Sequence, residues 1–198
     1  MREQKNSRKL VVALAMGVAG LAFSGCTTTL PQSQPKTMAE RHASVDSRAD
    51  DALNRLYEIS PDARSAAAKA KGVLIFPKVL SGGIVVGFER GDGVLRVNGA
   101  PQGYYTTAGG SIGFQAGAQS RAIVMLFMTQ EALDEFRNSD GWTVGAGATV
   151  AVANVGANGV IDSETLSKPV VAFVTTNAGL AAGVSLKGTK IAKMVDEG

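Results

Sequence analysis

The chain reads as an α+β protein: a strongly curved, partly closed antiparallel β-barrel-like sheet with a long N-terminal helix and short helices packed on it. Three patterns carry that reading. Residues 109–128, GGSIGFQAGAQSRAIVMLFM, first alternate: Ile112, Phe114, Ala116 and Ala118 fall on one face of an extended chain and Ser111, Gly113, Gln115, Gly117 and Gln119 on the other. From Ala122 to Met128 the run is apolar throughout, as a strand covered on both faces would be. Glycine then recurs at alternate positions, 113/117, 145/147 and 179/183. Interior glycine weakens a strand, so its repetition fits a sheet that coils tightly or whose backbone a helix or an acyl chain approaches.

Residues 1–25 stand outside this fold. Arg2, Lys5, Arg8 and Lys9 precede the apolar Leu10–Phe23, too short a run for a spanning helix and shaped like a secretory signal. Ser24-Gly25 before Cys26, the one cysteine, resembles the bacterial lipobox, with Phe23 where Leu is usual. That resemblance implies diacylglycerol on the Cys26 thiol and cleavage after Gly25; the alternative is a secreted protein with one free thiol. Thr27 follows the cysteine rather than the Asp of an inner-membrane retention signal, so the expected location is the outer membrane, with the globular part periplasmic or surface-exposed. Thr27–Thr37 reads as a disordered, Pro-containing tether, and residues 38–198 as a single domain.

The domain's elements follow in order. Met38, His42, Val45, Ala49, Ala52, Leu56 and Ile59 form one helical stripe over Met38–Ile59, with Leu53 widening it and Thr37 as N-cap. Arg41, Arg48 and Arg55 repeat every seven residues on another face, and Asp51 is spaced to pair with Arg55. Ser60-Pro61-Asp62 starts a second helix that runs through Ala63–Lys71 and stops at Gly72. Val73–Phe76 is a strand ended by Pro77. Ile84–Glu89 and Val94–Val97 form a hairpin through Arg90-Gly91-Asp92-Gly93, and Asn98-Gly99 with Pro101 makes the next turn. A single strand over the twenty residues 109–128 would measure about 65 Å, so a bend is placed near Gly117–Arg121, and its two halves form the middle of the sheet. Thr129 caps a short helix to Arg137. Trp142–Val155 alternates as a strand, Asn158-Gly159 turns, and Val170–Leu186 supplies the last strands.

Four segments resemble the SYLF domain family, whose eukaryotic members bind phosphoinositide membranes and regulate actin. They are AKGVLIFPKVLSGGIVVGFERGDGVL (70–95), GGSIGFQAGAQSRAIVMLFM (109–128), GWTVGAGATVAVANV (141–155) and VVAFVTTNAGLAAGVSLKGTKI (170–191). Tyr104-Tyr105 stands where a Trp is often found in that family, and Thr175–Asn177 replaces a more basic segment. The resemblance implies a non-enzymatic domain that binds phospholipid.

Several chemistries lack their residues. His42 is the one histidine and lies on the apolar stripe, which suits a core or interface position better than a catalytic base. No second histidine completes a zinc site, no GxGxxG or GxxxxGK[ST] is present, and no cofactor is expected. Asp92, Asp140 and Asp162 read as solvated turn acids, with a Ca²⁺ site as the alternative. Residues 1–25 hold four of the 20 basic and one of the 17 acidic residues; the rest carries 16 of each, which removes a bulk electrostatic case for nucleic acid. The candidates for an anionic headgroup are local: the Arg41, Arg48, Arg55 stripe, or Lys69, Lys71 and Lys78 around the first strand. Either group alone also suits a solvated surface, as does Lys187, Lys190 and Lys193; convergence of two groups would favour a headgroup site. The expected partners are membrane phospholipids, with an envelope or host protein bound by a tethered scaffold as the alternative.

Overall fold

The computed structural model describes residues 37–83, 86–112, 119–145, 150–153, 161–181 and 183–195. The expected signal, Cys26 and tether, the 113/117 glycines and the Asn158-Gly159 turn lie outside them. Residues Pro35–Gly198 form one compact unit.

The helices follow their caps. Helix α1, Met38–Ile59, opens with a capping box: the Thr37 hydroxyl accepts from the Glu40 N–H, and the Glu40 carboxylate accepts from the Thr37 N–H. Ser60 caps α2, Pro61–Ala67, which ends four residues earlier than Ala-rich composition suggests; Lys71 then donates its N–H to Phe127 O and joins the sheet. Thr129 caps α3, Gln130–Asn138, and Asp162 caps the single turn α4, Ser163–Leu166.

The strands are β1 Gly72–Gly83, β2 Val86–Val97, β3 Ala100–Ile112, β4 Gln119–Phe127, β5 Trp142–Thr143, β6 Val150–Val152, β7 Val170–Thr176, β8 Gly179–Leu180 and β9 Lys190–Lys193. They form a curled half-barrel ordered β5-β9-β3-β2-β1-β4-β7-β6, with β8 on β7. All described pairs are antiparallel except β6 with β7. Strands β3 and β4 are not neighbours, as the central-pair reading required; β2 and β1 lie between them, and Gln119–Arg121 belong to β4 rather than to a bend. Trp142–Val155 is not one strand either: β5 pairs with β9 and β6 with β7, at opposite ends of the sheet.

Two cores flank the sheet. Inside the curl, Leu74, Phe76, Leu95, Met125 and Phe127 meet Leu133 and Phe136 of α3 and Trp142. The Phe136 ring lies 4.8 Å from Tyr105, 4.9 Å from Phe127 and 5.5 Å from Trp142, all tilted or edge-on. Outside, Val45, Ala49 and Leu56 of α1 and Ala63 and Ala66 of α2 cover Ile75, Val94, Val124, Leu126 and Phe173. Leu74–Phe76 of β1, Ile123–Phe127 of β4 and Val170–Val174 of β7 are therefore buried on both faces, which is why that run of β4 is apolar throughout.

Pro77 and the glycines around Asp92 are placed differently from the sequence reading. Pro77 does not end β1. It sits in a β-bulge: β1 advances three residues from Ile75 to Lys78 while β2 advances two, and the same holds against β4 between Phe76 and Val79. Arg90–Gly93 is not a hairpin turn; Asp92-Gly93 runs through the middle of β2, and the β2–β3 turn is Asn98-Gly99, with φ 52° and 79°. Pro101 lies in β3. A Cβ on Gly93 would stand 2.4 Å from Phe76 Cδ1 and 2.5 Å from Ile75 O; on Gly91 it would stand 2.7 Å from Lys78 O. These two glycines let the bulged β1 close onto β2. By contrast Gly145, Gly179 and Gly183 have φ of 85°, 119° and 68°, and a Cβ on Gly179 or Gly183 meets nothing within 4 Å. They serve backbone conformation rather than close packing.

Candidate functional site

Helix α1 packs on the outer face, and its two flanks meet different parts of the sheet. The first flank is a polar network around Asp46. Arg96 on β2 donates to Asp50 and to Asp46 O, and the Tyr104 hydroxyl donates to Asp46 Oδ2 at 2.6 Å. His42 stacks on Tyr104 with ring centroids 3.6 Å apart and 3° between planes, the interface role its place in the stripe suggests. Burial, followed by the hydrogen bond to Asp46 and its negative charge, pushes the Tyr104 phenol up to about 12, against a smaller opposing effect of Arg96.

The opposite flank borders a groove of about 250 Å³ between α1, the middle of β1, the start of β4 and the end of β7. Arg48 and Arg55 come from α1; being seven residues apart, they lie on one flank. The bulge turns Pro77 and Lys78 to the same wall. Ser120, Ala122, Thr175, Thr176 and Asn177 complete the lining. Arg55 donates to the carbonyls of Thr176 and Asn177 at 3.4 and 3.1 Å rather than to Asp51, which lines the groove as its carboxylate. Arg121 also lines the groove, but its guanidinium pairs with Glu89 on the concave face, where the register sets it beside Val79. Arg48, Arg55 and Lys78 are thus the cations that face the groove, drawn from both sequence-derived groups.

The other candidates lie elsewhere. Arg41 is held 3.2 Å from Asp92, which also accepts from Thr106, so Asp92 is a strand residue paired with α1 rather than a turn acid. Lys69 and Lys71 are exposed at the opposite end of β1, roughly 20 Å from Lys78 along an extended strand. Lys190 and Lys193 lie on β9. The Ser120 and Thr175–Asn177 walls were missed by reading charge alone; Pro77 inside a β-forming run was the available sign of a bulge, and with it of an outward Lys78. Among the described residues, the void on the concave side lined by Phe76, Thr107, Met125 and Ile191 measures about 10 Å³, far too small for an acyl chain. Among the described residues no helix is long and apolar enough to cross a membrane.

Comparison with known proteins agrees with the resemblance of the segments within 109–191. The family model described as Ysc84, Las17-binding protein actin regulator, matches residues 108–197. SH3 domain-containing YSC84-like protein 1 of Homo sapiens is 31% identical over 128 residues, 62% of this chain and 37% of the relative. Its counterparts in Bos taurus and Rattus norvegicus are 30% and 29% identical with the same coverage. The chain spans little more than a third of the length of these relatives. Residues 108–197 are thus similar to the SYLF (Ysc84-like) domain family, the family that the quoted segments resemble.

Proposed function

We propose that this chain is a lipid-anchored, non-enzymatic envelope protein whose SYLF domain binds anionic phospholipid headgroups in the α1–β1–β4–β7 groove. The observation that carries the reading is the convergence of Arg48, Arg55 and Lys78 on one groove with the Ser120 and Thr175–Asn177 polar groups beside them. A guanidinium presents a planar fork of donors and an ammonium a compact charge, which together suit the several oxygens of a phosphate. Lipid on Cys26 would hold the groove near its ligand and convert a weak contact into a persistent one.

A chain of residues 26–198 with Cys26→Ser retains the whole compact unit and removes the anchor. It should float with vesicles containing phosphatidylglycerol, float less as salt rises, and stay behind with pure phosphatidylcholine, because exposed charges are screened over about 8 Å at physiological ionic strength. Absence of flotation at low salt sinks the reading. The second reading, a tethered protein-interaction scaffold, draws on the description of the matched family as a Las17-binding actin regulator. A protein partner bound by a chain that never floats would establish it instead.

A further inference from the structure

Beyond the groove, the outer face of the β1–β2 ribbon carries two large apolar side chains open to solvent, Leu80 at 47% and Phe88 at 67% exposure. The register pairs Leu80 with Arg90 and Gly82 with Phe88, so all four positions share one face. The Phe88 ring lies beside Gly82, where an added Cβ would meet it at 3.8 Å. Lys78, two residues before Leu80, and Ser120, opposite Leu80 on β4, both line the groove. The apolar pair is therefore continuous with the cationic site and ringed by Lys78 and Arg90, while Glu89 points to the other face and pairs with Arg121.

We propose that this end of the ribbon is a membrane wedge: Leu80 and Phe88 enter the interfacial layer of a phospholipid bilayer while the groove holds headgroups. The inference rests on the headgroup reading above. A bilayer fits the page better than a second copy. Two side chains offer at most a few hundred Å², well short of the roughly 800 Å² per partner of a stable interface. A two-fold dimer through this face would also set its cations against themselves. An anionic bilayer instead takes apolar groups and neutralises the cations beside them.

Cys26 is the one cysteine, so Phe88→Cys in the Cys26→Ser chain of residues 26–198 gives a unique site for an environment-sensitive NBD label. On vesicles of mixed phosphatidylglycerol and phosphatidylcholine, the label should brighten and shift to the blue. Lipids with a nitroxide near the top of the acyl chain should quench it. The unlabelled Leu80→Ser/Phe88→Ser variant should bind these vesicles at least about tenfold more weakly, the worth of burying one such side chain, with an unchanged melting temperature. Unchanged label emission in a chain that floats, and that loses flotation on Lys78→Glu, removes the wedge and leaves the headgroup groove standing. Failure of the unsubstituted chain to float removes both. A label already shielded without vesicles, with dimers in sedimentation, assigns the face to a second copy and overturns the proposal.

Discussion

Gly93→Ala tests the most crowded point of the fold. Gly93 lies mid-strand in β2 beside the β1 bulge, and its φ is not in the left-handed region, so its need for glycine is spatial. A methyl there would lie 2.4 Å from Phe76 Cδ1 and 2.5 Å from Ile75 O. Carbon contacts normally settle at about 3.5–4.0 Å, so the methyl would overlap the Phe76 ring by about an ångström and would also press on the carbonyl. One partner is a backbone carbonyl, and the other is the ring of Phe76, 1% exposed in the inner core; neither can swing aside into solvent. Overpacking of this kind costs roughly 1–3 kcal/mol and occasionally more. Replacing a strand glycine returns about 0.5–1 kcal/mol. The net expectation is a loss of about 2 kcal/mol, or about 4–8 °C in Tm for a domain of this size. Circular dichroism melts and urea titration of the residue 26–198 chain measure it, with a lower midpoint and an unchanged m value. Gly82→Ala is the control, since its nearest new contact is an ordinary 3.8 Å. A Gly93→Ala chain that melts with or above the wild type would refute the close approach of β1 to β2.

Two further outcomes follow from named groups. The Tyr104 phenol titrates at about 12 in the folded chain against about 10 unfolded, so its stabilisation is complete below pH 10 and is lost as pH rises from 10 to 12. Tyr104→Phe should flatten that alkaline decline in the urea midpoint, leaving the part due to Tyr57 and Tyr105, whose phenols burial also raises; identical declines in both chains contradict the assignment. Cys26→Ser should abolish lipidation and either release the protein or leave an uncleaved precursor in the inner membrane, while intact mass of the wild type should show a diacylated, N-terminal Cys26. An unmodified Cys26 in the wild type contradicts the anchor.

How much was legible depended on whether the signal was local. Helices α1 and α3 and the start of α2 were readable because capping residues and a 3.6-residue stripe act within a few positions. The buried run Ala122–Met128 announced a strand covered on both faces. Strand neighbours were not legible: nothing local says that β2 and β1 separate β3 from β4, because pairing across the curl is set by long-range closure. Asp92-Gly93 has the composition of a turn, yet the space Phe76 needs put it in a strand. The groove was half legible. Two cationic groups could be named from spacing, but only the packing of α1 on the sheet and the Pro77 bulge select Arg48, Arg55 and Lys78, commit Arg41 to Asp92, and leave Lys69 and Lys71 at the far end of β1.

In the proposed function one groove, rather than surface charge in general, meets the anionic membrane. Its sharpest measurement is vesicle affinity at low salt for three charge-reversed chains of residues 26–198. One carries Arg48→Glu, Arg55→Glu and Lys78→Glu; another carries Lys187→Glu, Lys190→Glu and Lys193→Glu; the last carries Lys69→Glu and Lys71→Glu. With about 1 kcal/mol per cation near an anionic surface, the groove reversal should weaken binding about a hundredfold or more. The other two should change it far less and keep the wild-type Tm, while the groove reversal also gives up the Arg55 hydrogen bonds to Thr176 and Asn177 and should melt slightly lower. Equal losses in the three chains, or a groove-reversed chain that binds like the wild type, would contradict the account.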